Sequence, residues 1–467
     1  MQVTEAPLLT SSARDRFSHP APAAPAAPAA PAGAQRCDVL VMGGGPAGST
    51  AAIVLAERGH DVVLVEKARH PRFHIGESLL PSNLPLFERL GVGAEVRAIG
   101  MEKYGAEFTS SWDGRHQTFE FADAWDKSLP LAYQVRRSEL DEILIRRAGQ
   151  AGARVIEGCR AKNAAFAADG RSARVDVAHD RGGSESFEAR YVIDATGRDT
   201  LLGQSLGAKH RNRRHNSAAM YAHFTGARRT PGKSGGNIGV YWFDHGWFWF
   251  IPLADGNTSV GAVVWPYYMK TRIAPVRDFF LSTIALCAPL AERLRDAALS
   301  TEVEATGNYA YRCDHSHGAN YLLVGDAYTF IDPVFSSGVM LAMASGEAAA
   351  LTIDEIFRNP SRAARALQRF DRLVRHGPRQ FSWFIYRVTN PTMREMFLDP
   401  KNILRMKEAL LSLLAGDIFG RTPIWRALRA LKGAYYLMSL MNLGRTLRAA
   451  RRRAVNIRPE EAEPSTG

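Results

Sequence analysis

Cysteine is scarce in this chain: four residues in 467, Cys37, Cys159, Cys287 and Cys313, with no pair spaced CxxC. That count and spacing argue against a disulfide scaffold and a thiolate zinc site, and fit a reducing cytoplasm. The chain also lacks any run of about 18 apolar residues free of charge, so no spanning helix is expected. Its first 35 residues lack a basic segment followed by an apolar one, so no secretory signal is expected. No repeat of solenoid or propeller period is present. What remains is 46% hydrophobic and 23% charged, which excludes a fibre or a wholly disordered chain. The length allows two to four structural units with a large core.

Acidic residues are missing from one place in particular. Between Arg421 and Arg458 there are ten Lys or Arg and no Asp or Glu, so this segment carries +10 of a formal net charge of +12. The rest of the chain is nearly neutral. The basic character is therefore a feature of one segment and not a nucleic-acid-binding signature of the whole. The segment mixes its arginines with Trp425, Leu428, Leu431, Tyr435, Tyr436, Leu437, Met438, Leu440, Met441 and Leu447. Three roles fit that mixture: an anionic membrane surface, an acidic carrier protein, or packing on the body.

Residues 20–31 read PAPAAPAAPAAP. Spaced prolines favour an extended backbone, and alanine offers little to bury, so residues 1–35 are expected to be a disordered tail. Residues 459–467 are expected to be an acidic disordered end. Between them, 36–355 reads as one core with an inserted antiparallel sheet at about 205–300, and 356–458 as a helical region.

The core opens on a short apolar strand, CDVLVM (37–42), then Gly43-Gly44-Gly45-Pro46-Ala47-Gly48, then a helix-compatible stretch to Arg58 and a second strand, DVVLV (61–65). This is a GxGxxG between strand and helix. Gly43 permits the turn, Gly45 lets the backbone approach a pyrophosphate, and Gly48 lets helix and strand pack closely. Pro46 and Ala47 open the helix whose N–H groups face the phosphates. Glu66 ends the second strand, where a carboxylate can take the ribose hydroxyls. These residues predict a bound dinucleotide.

Two later segments, VIDATGRDT (192–200) and YLLVGDAYTFIDP (321–333), also read as strands ending in turns. With QVRRSELDEIL (134–144), they resemble the FAD-dependent aromatic hydroxylases, prenyl reductases and flavin-dependent halogenases. Within that group the chain is most similar to the halogenases. Trp247-Phe248-Trp249-Phe250-Ile251-Pro252 forms a WxWxIP, and Phe330, Pro333, Ser336 and Gly338 fit FxxPxxSxG. Lys103 stands in EKYGAEF (102–108), shortly after GESLLP (76–81).

The resemblance implies an α/β fold: an FAD-binding Rossmann-like domain, an antiparallel substrate-binding sheet and a helical C-terminal region. It implies that Asp326 and Arg137 lie along the flavin and that groups around Ser337 and Gly338 hold chloride or bromide. Trp247 and Trp249, with Ile251 and Pro252, would separate substrate from flavin. Lys103 would handle hypohalous acid, either as an ammonium that hydrogen-bonds it or as a neutral amine that forms a haloamine. Reduced FAD would come from a partner flavin reductase, since no second GxGxxG is present. Tryptophan halogenases resembling this chain carry a glutamate just before the FxxPxxSxG serine, where this chain has Phe335. The surrounding text looks more like phenol and pyrrole halogenases of secondary metabolism, including those acting on acyl or peptidyl carrier-protein substrates. Rival expectations are an aromatic monooxygenase, a prenyl-lipid reductase, and a flavoprotein without catalysis. The motif ending Ile251-Pro252-Leu253, in place of a basic PKG, argues against the reductase. No metal site is expected. The chain is expected in the cytoplasm, with a membrane-surface contact through the basic segment left open.

Overall fold

A computed structural model describes residues 33–212, 216–307, 310–419 and 422–457. The expected Pro/Ala-rich tail as far as residue 32 and the acidic end at 459–467 lie outside the described residues.

The first sheet is built around Gln35–Met42. Parallel neighbours are Val62–Glu66 on one side and Ser184–Asp194 on the other, with Arg154–Glu157 and Tyr321–Leu323 extending the parallel set. Its central strands are buried along most of their length, with the helices Pro46–Ala56 and Gly338–Arg358 and residues of the antiparallel meander in the same core, as parallel sheets require. The long strand Ser184–Asp194 also joins Ala173–His179 and Cys159–Phe166 in an antiparallel meander.

Two helices meet across this sheet. Pro46–Ala56 follows the glycine loop, and Gly338–Arg358 runs against it. A Cβ on Gly346 would lie 2.2 Å from the Ala47 carbonyl oxygen, so glycine there is what lets the helices cross so closely. This crossing brings the starts of both helices to one edge of the sheet.

The second sheet has eight strands, including Gly105–Ser110, Ala218–Thr225, Ile238–Phe243, Gly246–Pro252 and Thr258–Val264. Within it the chain turns at Asp244-His245, and Ile238–Phe243 pairs antiparallel with Gly246–Pro252. Alternation along Gly246–Pro252 sends Trp247, Trp249 and Ile251 into one core and Phe248 and Phe250 into another. The Phe248 and Phe250 face packs on Phe280, Ile284 and Leu290 of the helices Val276–Ala285 and Ala288–Arg293. The tryptophan face packs on C-terminal helices through Phe381, Phe397, Leu411 and Leu428. Helices here are Ala363–Ile385, Pro391–Leu398, Met406–Leu414, Trp425–Met441 and Leu443–Ile457. No helix among the described residues is long and apolar enough to cross a membrane.

Candidate functional site

The glycine loop has the geometry that a pyrophosphate needs. Gly43 adopts φ +106°, and a Cβ there would meet the Ala195 carbonyl oxygen at 2.3 Å. A Cβ on Gly48 would meet the Gly43 carbonyl at 1.9 Å. Gly45 is different: the nearest atom to its missing Cβ is Arg72 Nη2 at 3.6 Å, so its outer side is open to a ligand. Glu66 is buried at the end of its strand. It accepts hydrogen bonds from the Gly44 N–H at 2.7 Å and the Ala68 N–H at 2.8 Å.

The other end of the groove is a cavity lined by Gly325, Asp326, Gly338 and Leu341, and closed by Leu373, Val374 and Pro378 of the helix Ala363–Ile385. Burial pushes the Asp326 carboxyl up to about 6 against the pull of Arg137 and Arg198. Gly338 has nothing within 4 Å of its missing Cβ. The helix it opens makes its first main-chain bond from Leu341 N–H to the Ser337 carbonyl, so the preceding N–H groups have no intrahelical acceptor. The Ser337 hydroxyl beside them is buried without a hydrogen-bond partner. Open glycine loop, cavity and orphan hydroxyl fit a dinucleotide and a small anion. Of the residues named from the sequence, Gly43, Gly45, Gly48 and Glu66 lie at the glycine loop, and Asp326, Ser337 and Gly338 at or beside the cavity.

Two buried cations, Arg137 and Lys103, flank the loop from Ile75 to Pro81. Arg137 starts the helix Arg137–Gln150 and forms two bonds to Asp141, Nε to Oδ1 at 2.8 Å and Nη2 to Oδ2 at 2.9 Å, while donating to the Ile75 carbonyl. Burial works against its charge, but Asp141, with Asp326 and Glu77 behind it, outweighs burial and raises its pKa. Arg72 also reaches Asp141, at 3.2 Å.

Lys103 is 1% exposed. It ends the strand Met101–Lys103, which pairs with Ala132–Gln134. Its Nζ donates to Ser78 Oγ and to the Leu79 carbonyl, each at 2.9 Å, and lies 5.3 Å from the Phe121 ring centroid. Among the described residues no carboxylate reaches it. Burial therefore lowers its pKa to about 7, where the neutral amine is well populated.

Trp247 and Trp249 are both buried, with ring centroids 6.1 Å apart. A Cβ on Gly261 of the neighbouring strand would lie 2.1 Å from the Trp249 ring, so that glycine makes room for the indole. Trp249 Nε1 donates to Ser259 Oγ at 3.2 Å. Trp247 shares a small cavity with Asp332, which caps the turn Pro333–Phe335 through Val334 N–H. The tryptophan pair thus abuts the loop that carries Ser336–Gly338. Ile251, together with Ile331, Val334 and Phe335, belongs to the same apolar cluster. Phe335 stacks on Phe397 at 6.1 Å, and Phe397 also packs on Phe108, Phe119 and Trp242.

Three features were not read from the sequence. Asp141 stands one helical turn after Arg137, and that i,i+4 spacing was a usable signal. Ser78 lies within the quoted GESLLP but nothing local marked it as the lysine's acceptor. Glu77 and His223 form a buried pair, Nε2 facing the two carboxylate oxygens at 2.9 and 3.1 Å, across 146 residues of chain. One group of metal-ligand type also occurs among the described residues: Cys159, His179 and Glu185 lie within 4.8 Å of one another on the antiparallel meander. All four cysteines are free and buried.

A family model described as FAD binding domain matches residues 36–360. The chain is 35% identical to a flavin-dependent halogenase of Armillaria mellea, over 68% of this chain and 67% of that one, so it spans about two thirds of that relative's length. It is 29% identical to the 1H-pyrrole-2-carbonyl peptidyl-carrier-protein chlorinase of Pseudomonas fluorescens, over 82% of this chain and 89% of that one. Among solved structures it is similar to the myxobacterial chondrochloren halogenase, with a TM-score of 0.73 and 32% identity over 84% of this chain and 93% of that one.

Proposed function

The chain belongs to the flavin-dependent halogenase family, an FAD-binding group of oxidoreductase type, and from that membership we propose that it halogenates an electron-rich aromatic ring. The ring is phenol- or pyrrole-like, and the halide is chloride or bromide. The observation that carries this reading is Lys103, a buried amine with two neutral acceptors and, among the described residues, no acid beside it. A structural lysine in that position would be expected to have a carboxylate partner.

Reduced FAD, when bound, supplies the electrons with which oxygen converts halide to hypohalous acid. The chain's own groups do the rest. Free N–H groups at Gly338 and the Ser337 hydroxyl hold the halide at a helix N-terminus. The neutral Lys103 amine attacks the halogen of hypohalous acid: an N–halogen bond forms, the O–halogen bond breaks, and the amine's proton leaves with hydroxide as water. The ring then takes the halogen, and the proton it releases returns to nitrogen. Ser78 Oγ and the Leu79 carbonyl fix the amine throughout. Trp247 and Trp249 keep the ring from the flavin, which prevents direct oxygen transfer.

Phe335 supports a phenol or pyrrole over tryptophan, because an apolar aromatic pair fills the position of the expected glutamate. The similarity to a chlorinase of carrier-bound pyrrole supports a tethered ring. Electrons arrive from a separate flavin reductase. The test is a reconstituted reaction with reductase, FAD and bromide, offered free and carrier-bound phenols and pyrroles and read by mass spectrometry. A brominated product supports the proposal. A hydroxylated product formed equally well without halide would mean a monooxygenase instead.

A further inference from the structure

The basic segment has a use that ring halogenation does not require. The helix Trp425–Met441 is docked on the body by Ala427, Leu428, Leu431 and Tyr435, which are buried in the same cluster as the tryptophan motif. The following helix, Leu443–Ile457, turns back after Asn442 and packs against Pro391–Leu398 and Pro266–Lys270. The corner between the two helices is therefore held by the body, and it projects outward.

That corner is apolar. Tyr436, Leu437, Leu440, Met441, Leu443 and Leu447 are 49 to 77% exposed, all within twelve residues. Exposure of that degree describes a convex ridge; side chains lining a groove are mostly covered by its walls. Around the ridge stand Arg426, Arg429, Arg445, Arg448 and Arg451, all exposed. The segment from Arg421 to Arg458 contains no acid. On the packed helices, Glu395 is engaged by both terminal nitrogens of Arg115 and also feels Arg445, and Glu408 is bonded to Arg405.

We propose that this corner is a docking surface for an anionic lipid bilayer, with the apolar ridge inserted at the headgroup level and the arginines on lipid phosphates. Three physical points favour a bilayer over other occupants. A convex apolar ridge suits a soft interface that closes around it. Exposed arginines on a segment that contains no acid match the negative potential of anionic lipid. A second copy of the chain would bring the same positive charge to the contact, and that repels. An acidic protein would satisfy the arginines but would need a groove shaped for six protruding side chains.

The experiment is co-sedimentation of the full-length, FAD-loaded protein with vesicles of phosphatidylcholine alone or with one quarter phosphatidylglycerol. The wild type is expected to pellet with the phosphatidylglycerol vesicles and to stay in the supernatant with the neutral ones. Leu440→Ser/Met441→Ser, which leaves the charge unchanged, should lower the bound fraction at least tenfold. Arg445→Glu/Arg448→Glu should do the same, while flavin absorbance and circular dichroism of both variants stay as in the wild type. Absence of vesicle binding by the wild type overturns the proposal, as does retention on an acidic carrier protein without vesicle binding. Binding that survives the Leu440/Met441 change overturns the insertion, since charge alone would then account for it.

Discussion

Lys103 and Arg137 are two buried cations on either side of one loop, and their surroundings are opposite. Arg137 has a carboxylate in bidentate contact and a second arginine sharing that carboxylate. Lys103 has a hydroxyl, a carbonyl and an aromatic ring. Burial penalises charge at both sites, and only at Arg137 is the penalty outweighed. One site is thus built to keep its charge. The other is built to let a charge go near neutral pH, which is what a nucleophilic amine needs.

The comparison can be broken most sharply at the lysine. Lys103→Met should bind FAD and consume its reduced form at wild-type rates, while halogenated product falls by about a hundredfold or more. Lys103→Arg should fail as badly, because a guanidinium does not deprotonate. Flavin reoxidation and product mass spectrometry, read side by side, check both. Product formation by Lys103→Met at the wild-type rate would remove the lysine from the mechanism.

The same burial has a signature in stability. In the folded chain burial lowers the Lys103 pKa to about 7, whereas an unfolded lysine keeps the ordinary 10.5. Between those values the unfolded chain binds more protons, so this group makes stability rise with pH through that window. Below it the full cost is felt, on the order of 5 kcal/mol. Lys103→Met should therefore lose most of the rise between pH 7 and 10, as urea unfolding at several pH values would reveal. An unchanged slope would mean that the amine is not buried neutral.

Asp141→Asn tests the opposite site. It leaves the buried Arg137 and the partly buried Arg72 beside a neutral amide, and should cost about 3 kcal/mol of stability and weaken FAD binding. Thermal unfolding and flavin titration measure the two effects. If stability were unaffected, the guanidinium would be less confined than its contacts indicate.

The smallest change is Ser78→Ala. It removes one of two acceptors from Lys103 and should slow product formation by about five- to tenfold, in line with about 1 kcal/mol for a hydrogen bond. Because the hydroxyl favours the ammonium, its loss should also move the midpoint of the pH–rate profile below 7. In the wild type, halogen transfer should rise with pH through about 7. A fall through that range would assign the ammonium, not the amine, to the reaction.

The legible parts of the sequence were those in which chemistry depends on neighbours along the chain. A glycine loop between strand and helix, an acidic strand end at Glu66, and tryptophans at spacing two each constrain the backbone locally, and the structure has the corresponding turns, strand end and shared face. The buried Glu77–His223 pair was not legible, because its partners stand 146 residues apart in the chain.

By itself, then, the sequence determined which backbone segments could approach a dinucleotide and which residue types stood near it, since turns and periodicity act over a few residues. It also determined that the positive charge gathers in one segment. Only the tertiary structure decided what that charge and Lys103 face. A lysine following a glutamate in EKYG reads as a surface residue. It becomes a buried amine because the strand Met101–Lys103 pairs with Ala132–Gln134 and the loop carrying Ser78 closes over it. Likewise the basic segment's apolar residues divide into buried and protruding sets only when the helix Trp425–Met441 docks on the body. Burial is set by contacts distant in sequence, and burial is what fixes the charge state of an amine and the partner of an exposed ridge.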